Sequence, residues 1–353
     1  MPIISVLIPS LNSLDYIEEC LQSVVNQTLK DIEILCIDAH STDGTLEILK
    51  EFAKNDNRIK IILSDKKSLG YQINLGLREA QGEYFTIVES DDYAKENMCE
   101  TLLNLAKTHQ CEVVKADIVG FNENNSKRNF KKLPICYDES LYGKVLATFE
   151  DKKHIIKKSW TMNQSGIYKL DFIRHFNIKA NETAGASYQD LGLWFQIISL
   201  AKTIYFHKEG FYFYRQDNPN ASTQSKEKVY CICDECDFIE HFLEKDLELK
   251  ENLWNVFLYK KFKSYFWNLS RIDEKFKLEF LYYFAKDFKP RLQNLDENVF
   301  SKGEIKELQK ICEDPKKFYE FSKTFSFAIR KKIARFKRKL KSLFKIDKTK
   351  QEL

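Results

Sequence analysis

Apolar positions in the first 120 residues follow two alternating periods. Residues 3–9, 32–37, 58–63 and 84–88 are short, nearly continuous runs of Ile, Val, Leu, Tyr and Phe. Such runs predict strands covered on both faces of a parallel sheet. Between them the spacing changes to three and four. Tyr16, Ile17, Cys20, Leu21, Val24 and Val25 share one helical face, as do Leu46, Leu49 and Phe52, and residues 71–80 predict a third helix. Ser41, Thr42 and Asp43 are N-cap types ahead of the second helix, and Gly82 suits a position just past the third. Strands alternating with helices at this interval predict βαβ units. In such sheets the carboxyl ends of the strands share one edge, where ligands bind. The acids that close two strands, Asp38 and the pair Asp91–Asp92, are therefore expected at that edge.

After residue 121 the pattern blurs. Residues 122–132 are polar and basic and predict a surface loop, while 160–176 and 184–213 are rich in aromatics. Beyond 225 long helical stretches, such as 253–267 and 274–288, are interrupted only by Pro290 and Pro315. The expected organisation is a domain over 1–225, with a nucleotide-binding half to 120 and an acceptor half from 121, then a helical region over 226–353. The 353 residues, 43% hydrophobic and 31% charged with net charge +4, describe a globular protein with ample core. No stretch approaches the ~18 apolar residues of a membrane span, and residues 1–6 lack the pattern of a signal peptide. A cytoplasmic protein is expected, its nine cysteines as thiols. Cys231, Cys233 and Cys236 are poorly spaced for zinc, even with His241 near, and read as thiols along a helix.

The chemistry concentrates where the fourth strand ends, in Glu89-Ser90-Asp91-Asp92. Burying that much negative charge without a partner is prohibitive, so these acids cap a strand tip in solvent or face a cation. A hard divalent ion holding a diphosphate is the economical functional reading, and a solvated acidic turn is the bland one.

Four segments together resemble the family-2 glycosyltransferases, bacterial inverting enzymes that use nucleotide sugars and have a GT-A fold. These are Ser5-Val6-Leu7-Ile8-Pro9-Ser10-Leu11-Asn12, Ile37-Asp38-Ala39-His40-Ser41-Thr42-Asp43-Gly44-Thr45, Gly82-Glu83-Tyr84 leading into Glu89-Ser90-Asp91-Asp92, and Gln189-Asp190 before Trp194. The resemblance covers residues 3 to 225. It implies that Asp92 ligates Mn²⁺ or Mg²⁺, with Asp91 near the ribose or in the metal shell, the ion acting as Lewis acid on the departing diphosphate. Pro9, Asn12 and Asp38 fall in its donor-binding segments. Asp190 matches the family's base, which takes the proton of the acceptor hydroxyl; a plain helix N-cap is the competing role.

The family commonly has a second acid where this chain has Ala39, followed by His40. That departure bears on the nucleotide, for which UDP is the choice by resemblance. Lys66, beside Lys67, could approach a diphosphate as a point charge or lie solvated. Gln72 and Asn74 offer amides to the ribose or sugar. Arg215 lies in Tyr212-Phe213-Tyr214-Arg215-Gln216-Asp217, which resembles a segment closing over the donor, and an ion pair with a nearby acid is its alternative. Trp160, Tyr188 and Trp194 are acceptor-site candidates because flat rings stack on sugars, although core packing serves such residues equally. His40, His154 and His175 lack a partner at ligand spacing, and His207 is kept only because it precedes the Arg215 segment.

Ile329, Ile333, Phe336, Leu340 and Phe344 form an apolar stripe amid nine Lys and Arg, with the single acid Asp347 nearby. Such a helix suits an anionic membrane surface, which would place the protein peripherally on the inner face of the cytoplasmic membrane. No aromatic-basic interleaving points to nucleic acid. The expected reaction is inverting sugar transfer to a surface-glycan acceptor such as lipooligosaccharide or capsule, free or lipid-linked. Two alternatives stand beside it. A sugar-1-phosphate nucleotidyltransferase would need a Gly-rich phosphate loop that Pro9-Ser10-Leu11-Asn12 does not supply. A non-catalytic glycan- or nucleotide-binding protein would not need both Asp92 and Asp190.

Overall fold

The computed structural model describes residues 2–124 and 127–323; the basic stripe at 329–344 lies outside them. The chain divides into two compact units, Met1–Ser264 and Tyr265–Leu353.

The first unit opens as the hydrophobic pattern predicts. Strand β1 (Ile4–Ser10) is followed by helix α1 (Leu14–Val25), β2 (Ile32–Asp38), α2 (Thr45–Asn55), β3 (Ile59–Leu63), α3 (Leu69–Glu79) and β4 (Tyr84–Ile87). Every residue of β1, β2 and β4 is buried, which is why these segments carry no polar alternation. They pair in parallel in the order β3-β2-β1-β4, with Ser10 beside Asp38 at the carboxyl edge. Then come β5 (Tyr93–Ala94), α4 (Met98–His109), β6 (Val113–Asn124), β7 (Lys127–Leu133), β8 (Val145–Leu146), α5 (Phe149–Lys158), β9 (Gly166–Lys169), α6 (Leu170–His175), α7 (Gln189–Leu200) and β10 (Ile204–Arg215). Antiparallel β9 bridges β4 to β6, and β10 lies parallel to β6 and antiparallel to β5, so the sheet is mixed. Helix α8 (Cys231–Leu243) and α9 (Leu247–Arg271) follow. The first unit thus runs past residue 225 and takes in α8 and most of α9.

Three local expectations are corrected. Residues 122–124 and 127–132 are not a loop. They pair as β6 and β7, with Phe121 opposite Phe130 and Glu123 opposite Arg128; polar faces suit a strand pair that stands in solvent. Gly82 is not a left-handed helix cap, because α3 ends in extended backbone at Ala80. The glycine is needed for close approach instead, as a Cβ there would lie 2.7 Å from the Ser5 backbone nitrogen. None of Ser41, Thr42 and Asp43 occupies the N-cap of α2, which falls to Gly44 at φ +105°, although the Asp43 carboxylate still accepts from Thr45 N at 3.0 Å. All nine cysteines are thiols, three of them on α8 as expected.

The second unit is helical over its described residues, beyond the end of α9: α10 (Glu274–Phe288), α11 (Lys302–Glu313) and α12 (Pro315–Lys323). Phe280, Phe284, Phe288, Leu308 and Ile311 form its buried core with Tyr265.

Candidate active site

The site is built where β4 stops. β4 ends at Ile87, and the turn that follows brings Glu89, Asp91 and Asp92 together, with one carboxylate oxygen of each within 4.8 Å of the others. This is the metal-competent acid group among the described residues. Each acid is held by a neighbour. Asp92, 2% exposed, accepts from the Tyr212 hydroxyl at 2.7 Å and from Arg215 N at 2.8 Å. Asp91 accepts from the Asn218 amide at 2.7 Å, and Glu89 from the Gln164 amide. The Tyr212 hydroxyl also accepts from Glu89 N, so one side chain of β10 ties both ends of the turn. Burial pushes the Asp92 carboxyl well above its usual range, and the charge of Asp91 adds to it. Glu89 is raised in the same way, first by burial and then by Asp190, Asp92 and Asp91. Carboxylates crowded in this way are what a divalent cation relieves.

Asp190 reaches the same place from α7. Its helix begins at Gln189, with Tyr188 in left-handed backbone at the N-cap position, so Asp190 is the second helical residue and not the cap. Gln189 fixes the preceding loop by accepting from Ser187 N and donating to the Thr183 hydroxyl at 2.9 Å. Leu69 N to Gly185 O and Gly185 N to Lys67 O stitch that loop to the segment before α3. Oδ1 of Asp190 is buried with no hydrogen-bond partner among the described residues. Burial raises its pKa to about 6, against the pull of the Asn163 side chain and the Lys115 ammonium.

The other expected residues divide. Asp38 is fully buried at the carboxyl edge, where it accepts from the hydroxyls of Ser10 at 3.0 Å and Ser41 at 2.6 Å and from Ser41 N. Asn12, exposed at φ +51°, accepts from Thr42 N at 2.9 Å. Pro9 is buried in β1 opposite Ile37. These residues shape the mouth of the β1 and β2 loops, and Gln72 clamps it from α3 by donating to Ser10 O and Ile37 O. Lys66 pairs with Glu182 at 3.2 Å and lies over the Tyr71 ring. The Asn74 amide is taken up by the segment before α7, donating to Ala180 O and Glu182 and accepting from Ala180 N. Arg215 is buried against the acid turn, donating to Asp91 O at 3.0 Å and to Glu19 at 2.8 Å. Trp194, 2% exposed, packs in the core with the Lys260 ammonium over its ring. Tyr188 and Trp160 stay partly exposed, and the Trp160 indole donates to the Tyr137 hydroxyl.

Several residues escaped the sequence reading. Glu89 stands in the acidic run but carried no assigned role. Lys115, 1% exposed in β6, is a single charge inside the apolar run Val113-Val114-Lys115-Ala116. That misplaced charge was the available signal. Glu19, Gln164 and Tyr212 gave none, since their roles depend on pairing across the fold.

The glycosyl transferase family 2 model matches residues 5–169. Glycosyltransferase GlyG of Streptococcus pneumoniae serotype 4 is 30% identical over 221 residues, 61% of this chain and 71% of that protein. An uncharacterized glycosyltransferase, EpsJ of Bacillus subtilis, is 28% identical over 64% of each chain. The crystal structure of S. aureus TarS 1–349 in complex with UDP-GlcNAc superposes with a TM-score of 0.66 at 19% identity, covering 91% of both chains.

Proposed function

The chain belongs to glycosyl transferase family 2, and from that we propose that it moves a sugar, with inversion, from a UDP-sugar to a hydroxyl of a surface-glycan acceptor. The observation that carries this reading is the meeting of two groups with complementary tasks. One is a cluster of three acids; the other is a carboxylate with an unpartnered buried oxygen and a pKa raised to about 6. Membership of a glycosyltransferase family sets aside both the nucleotidyltransferase and the non-catalytic alternative.

Glu89, Asp91 and Asp92 fit Mg²⁺ or Mn²⁺, since all three offer hard oxygens. The Gln164 and Asn218 amides engage one oxygen each of Glu89 and Asp91, and the other oxygen of each accepts no hydrogen bond among the described residues. When bound there, the ion supplies positive charge to the departing diphosphate. Tyr212 and the Arg215 backbone hold Asp92 in place, so little reorganisation is left for the moment of reaction. Asp190 accepts the proton of the acceptor hydroxyl on Oδ1, the oxygen the fold leaves unsatisfied. The loops after β1 and β2, shaped by Asn12 and Asp38, receive the uridine. TarS supports the choice of UDP, being a protein of this fold that holds UDP-GlcNAc. The basic stripe at 329–344 would bring the enzyme to a lipid-linked acceptor at an anionic membrane surface.

The test is Mn²⁺-dependent cleavage of a nucleotide-sugar panel by wild type, Asp92→Asn and Asp190→Asn. Wild type should cleave at least one donor, and each variant should lose most of that activity. Equal rates in all three proteins would refute the assignment.

A further inference from the structure

Lys115 has the surroundings of a placed group and not of a tolerated charge. Its stem runs past β9 where Gly166 has no side chain; a Cβ there would lie 2.7 Å from Lys115 Cδ. The ammonium donates to Met162 O at 2.7 Å, Gln164 O at 2.5 Å and the Tyr168 hydroxyl at 2.9 Å, using all three protons. The Tyr168 hydroxyl in turn donates to Asn163 O at 2.6 Å. Residues 162–164 are therefore tied down at every carbonyl. Two amides leave this short segment for the two halves of the site. Gln164 donates to the Glu89 carboxylate, and Asn163 donates to Asp190 O at 3.1 Å.

Burying an ammonium is costly, and an apolar residue would pack this strand position without that cost. The arrangement makes sense if the charge has a task. We propose that Lys115 is a positioning residue for sugar transfer: through residues 162–164 it holds Glu89 and Asp190 in one frame. This deepens the transferase reading and rests on it.

The groups acting electrostatically around Asp190 come from five elements. They are Lys115 on β6, Tyr168 on β9, Glu89 after β4, Tyr214 on β10 and Glu235 on α8. Lys115 is the cation of that set. Burial brings its pKa down to about 7, with Asp190 opposing, so it is charged where Asp190 titrates.

The experiment uses the full chain as wild type, Lys115→Met and Tyr168→Phe. Mn²⁺ alone is titrated calorimetrically into metal-free protein, and donor cleavage at saturating Mn²⁺ is followed against pH. Lys115→Met should weaken Mn²⁺ binding by up to roughly 10-fold, the low end for losing an outer-shell partner, because Lys115 acts one step further out, through Gln164. It should also lower kcat with little change in donor KM, and move the acid limb to higher pH. Tyr168→Phe keeps the ring against Phe85 and should shift both readouts the same way by less; it decides the matter if Lys115→Met does not fold. Folded variants with wild-type Mn²⁺ affinity and an unmoved acid limb would overturn the proposal. A wild type that cleaves no nucleotide sugar sinks the transferase reading, while the Mn²⁺ titration still decides the frame around Glu89.

Discussion

With Asp190 as the proposed base, this residue sets the pH behaviour of the chemistry. Its pKa of about 6 lies above the ordinary aspartate value because burial disfavours the carboxylate. A base must be deprotonated, so the rate should be flat near neutrality and fall about tenfold per pH unit below about 6. Stability runs the other way. A raised carboxyl pKa means that the folded state binds the extra proton between the ordinary and raised values, so this group's contribution weakens as pH rises through that window. Asp190→Asn should accordingly cost about 10²–10⁴-fold in rate, with a melting temperature at pH 7 equal to or above wild type. A variant that lost activity together with a lower melting temperature would point to a structural role instead. Trp194 presents the opposite case. Trp194→Ala should destabilise by about 3–5 kcal/mol, while Trp194→Phe should leave the acceptor KM unchanged. Asp190 stood out in the sequence by its match to the family's base, since an acid at a helix start is by itself an ordinary capping type. At Trp194 and Asn74 residue type is not enough: the fold packs the ring in the core and commits the amide to Ala180 and Glu182.

Elements hold these residues in register. The helical start of α3 and the loop before α7 touch with no spare room: a Cβ at Gly70 would lie 1.9 Å from Asn181 O. The backbone bonds between 67–69 and Gly185, and the Asn74 amide on Ala180, pin the loop before α7 to α3 and the segment ahead of it. Gly70→Ala must push the Asn181 backbone away. The expected cost is about 1–3 kcal/mol, as for other overpacked sites, together with a lower kcat because Asp190 follows on that loop. Urea denaturation with single-turnover rates would check both, and an unchanged kcat would show that the loop does not position the base. The βαβ half was legible because its strands are local apolar runs and its acids fall at their ends. The β6–β7 pair was not, since its stability lies in cross-strand pairs such as Phe121 with Phe130, which have no signature along one strand. Lys115 showed in the sequence only as a charge in an apolar run, and its role did not, its partners lying 47 to 53 residues away.

At the scale of the whole molecule, no described helix is long and apolar enough to cross a membrane. Residues 329–344, outside the described part, have the composition of a surface-lying segment. The stripe of Ile329, Ile333, Phe336, Leu340 and Phe344 would sit at the acyl boundary, with Arg330, Lys331, Lys332, Arg335, Lys337, Arg338, Lys339 and Lys341 toward the headgroups. Each basic residue near an anionic surface contributes about 1 kcal/mol, screened by salt. The full chain should therefore float with vesicles containing anionic lipid and stay behind with purely zwitterionic ones, and added salt should release part of it. Replacing the apolar side with Phe336→Glu and Leu340→Glu keeps most of the positive charge but removes insertion, so flotation should drop even at low salt. If that double variant floated as well as wild type, attraction by charge alone would account for the binding. If neither protein floated, the segment would not be a membrane anchor, and the acceptor would have to be met in solution.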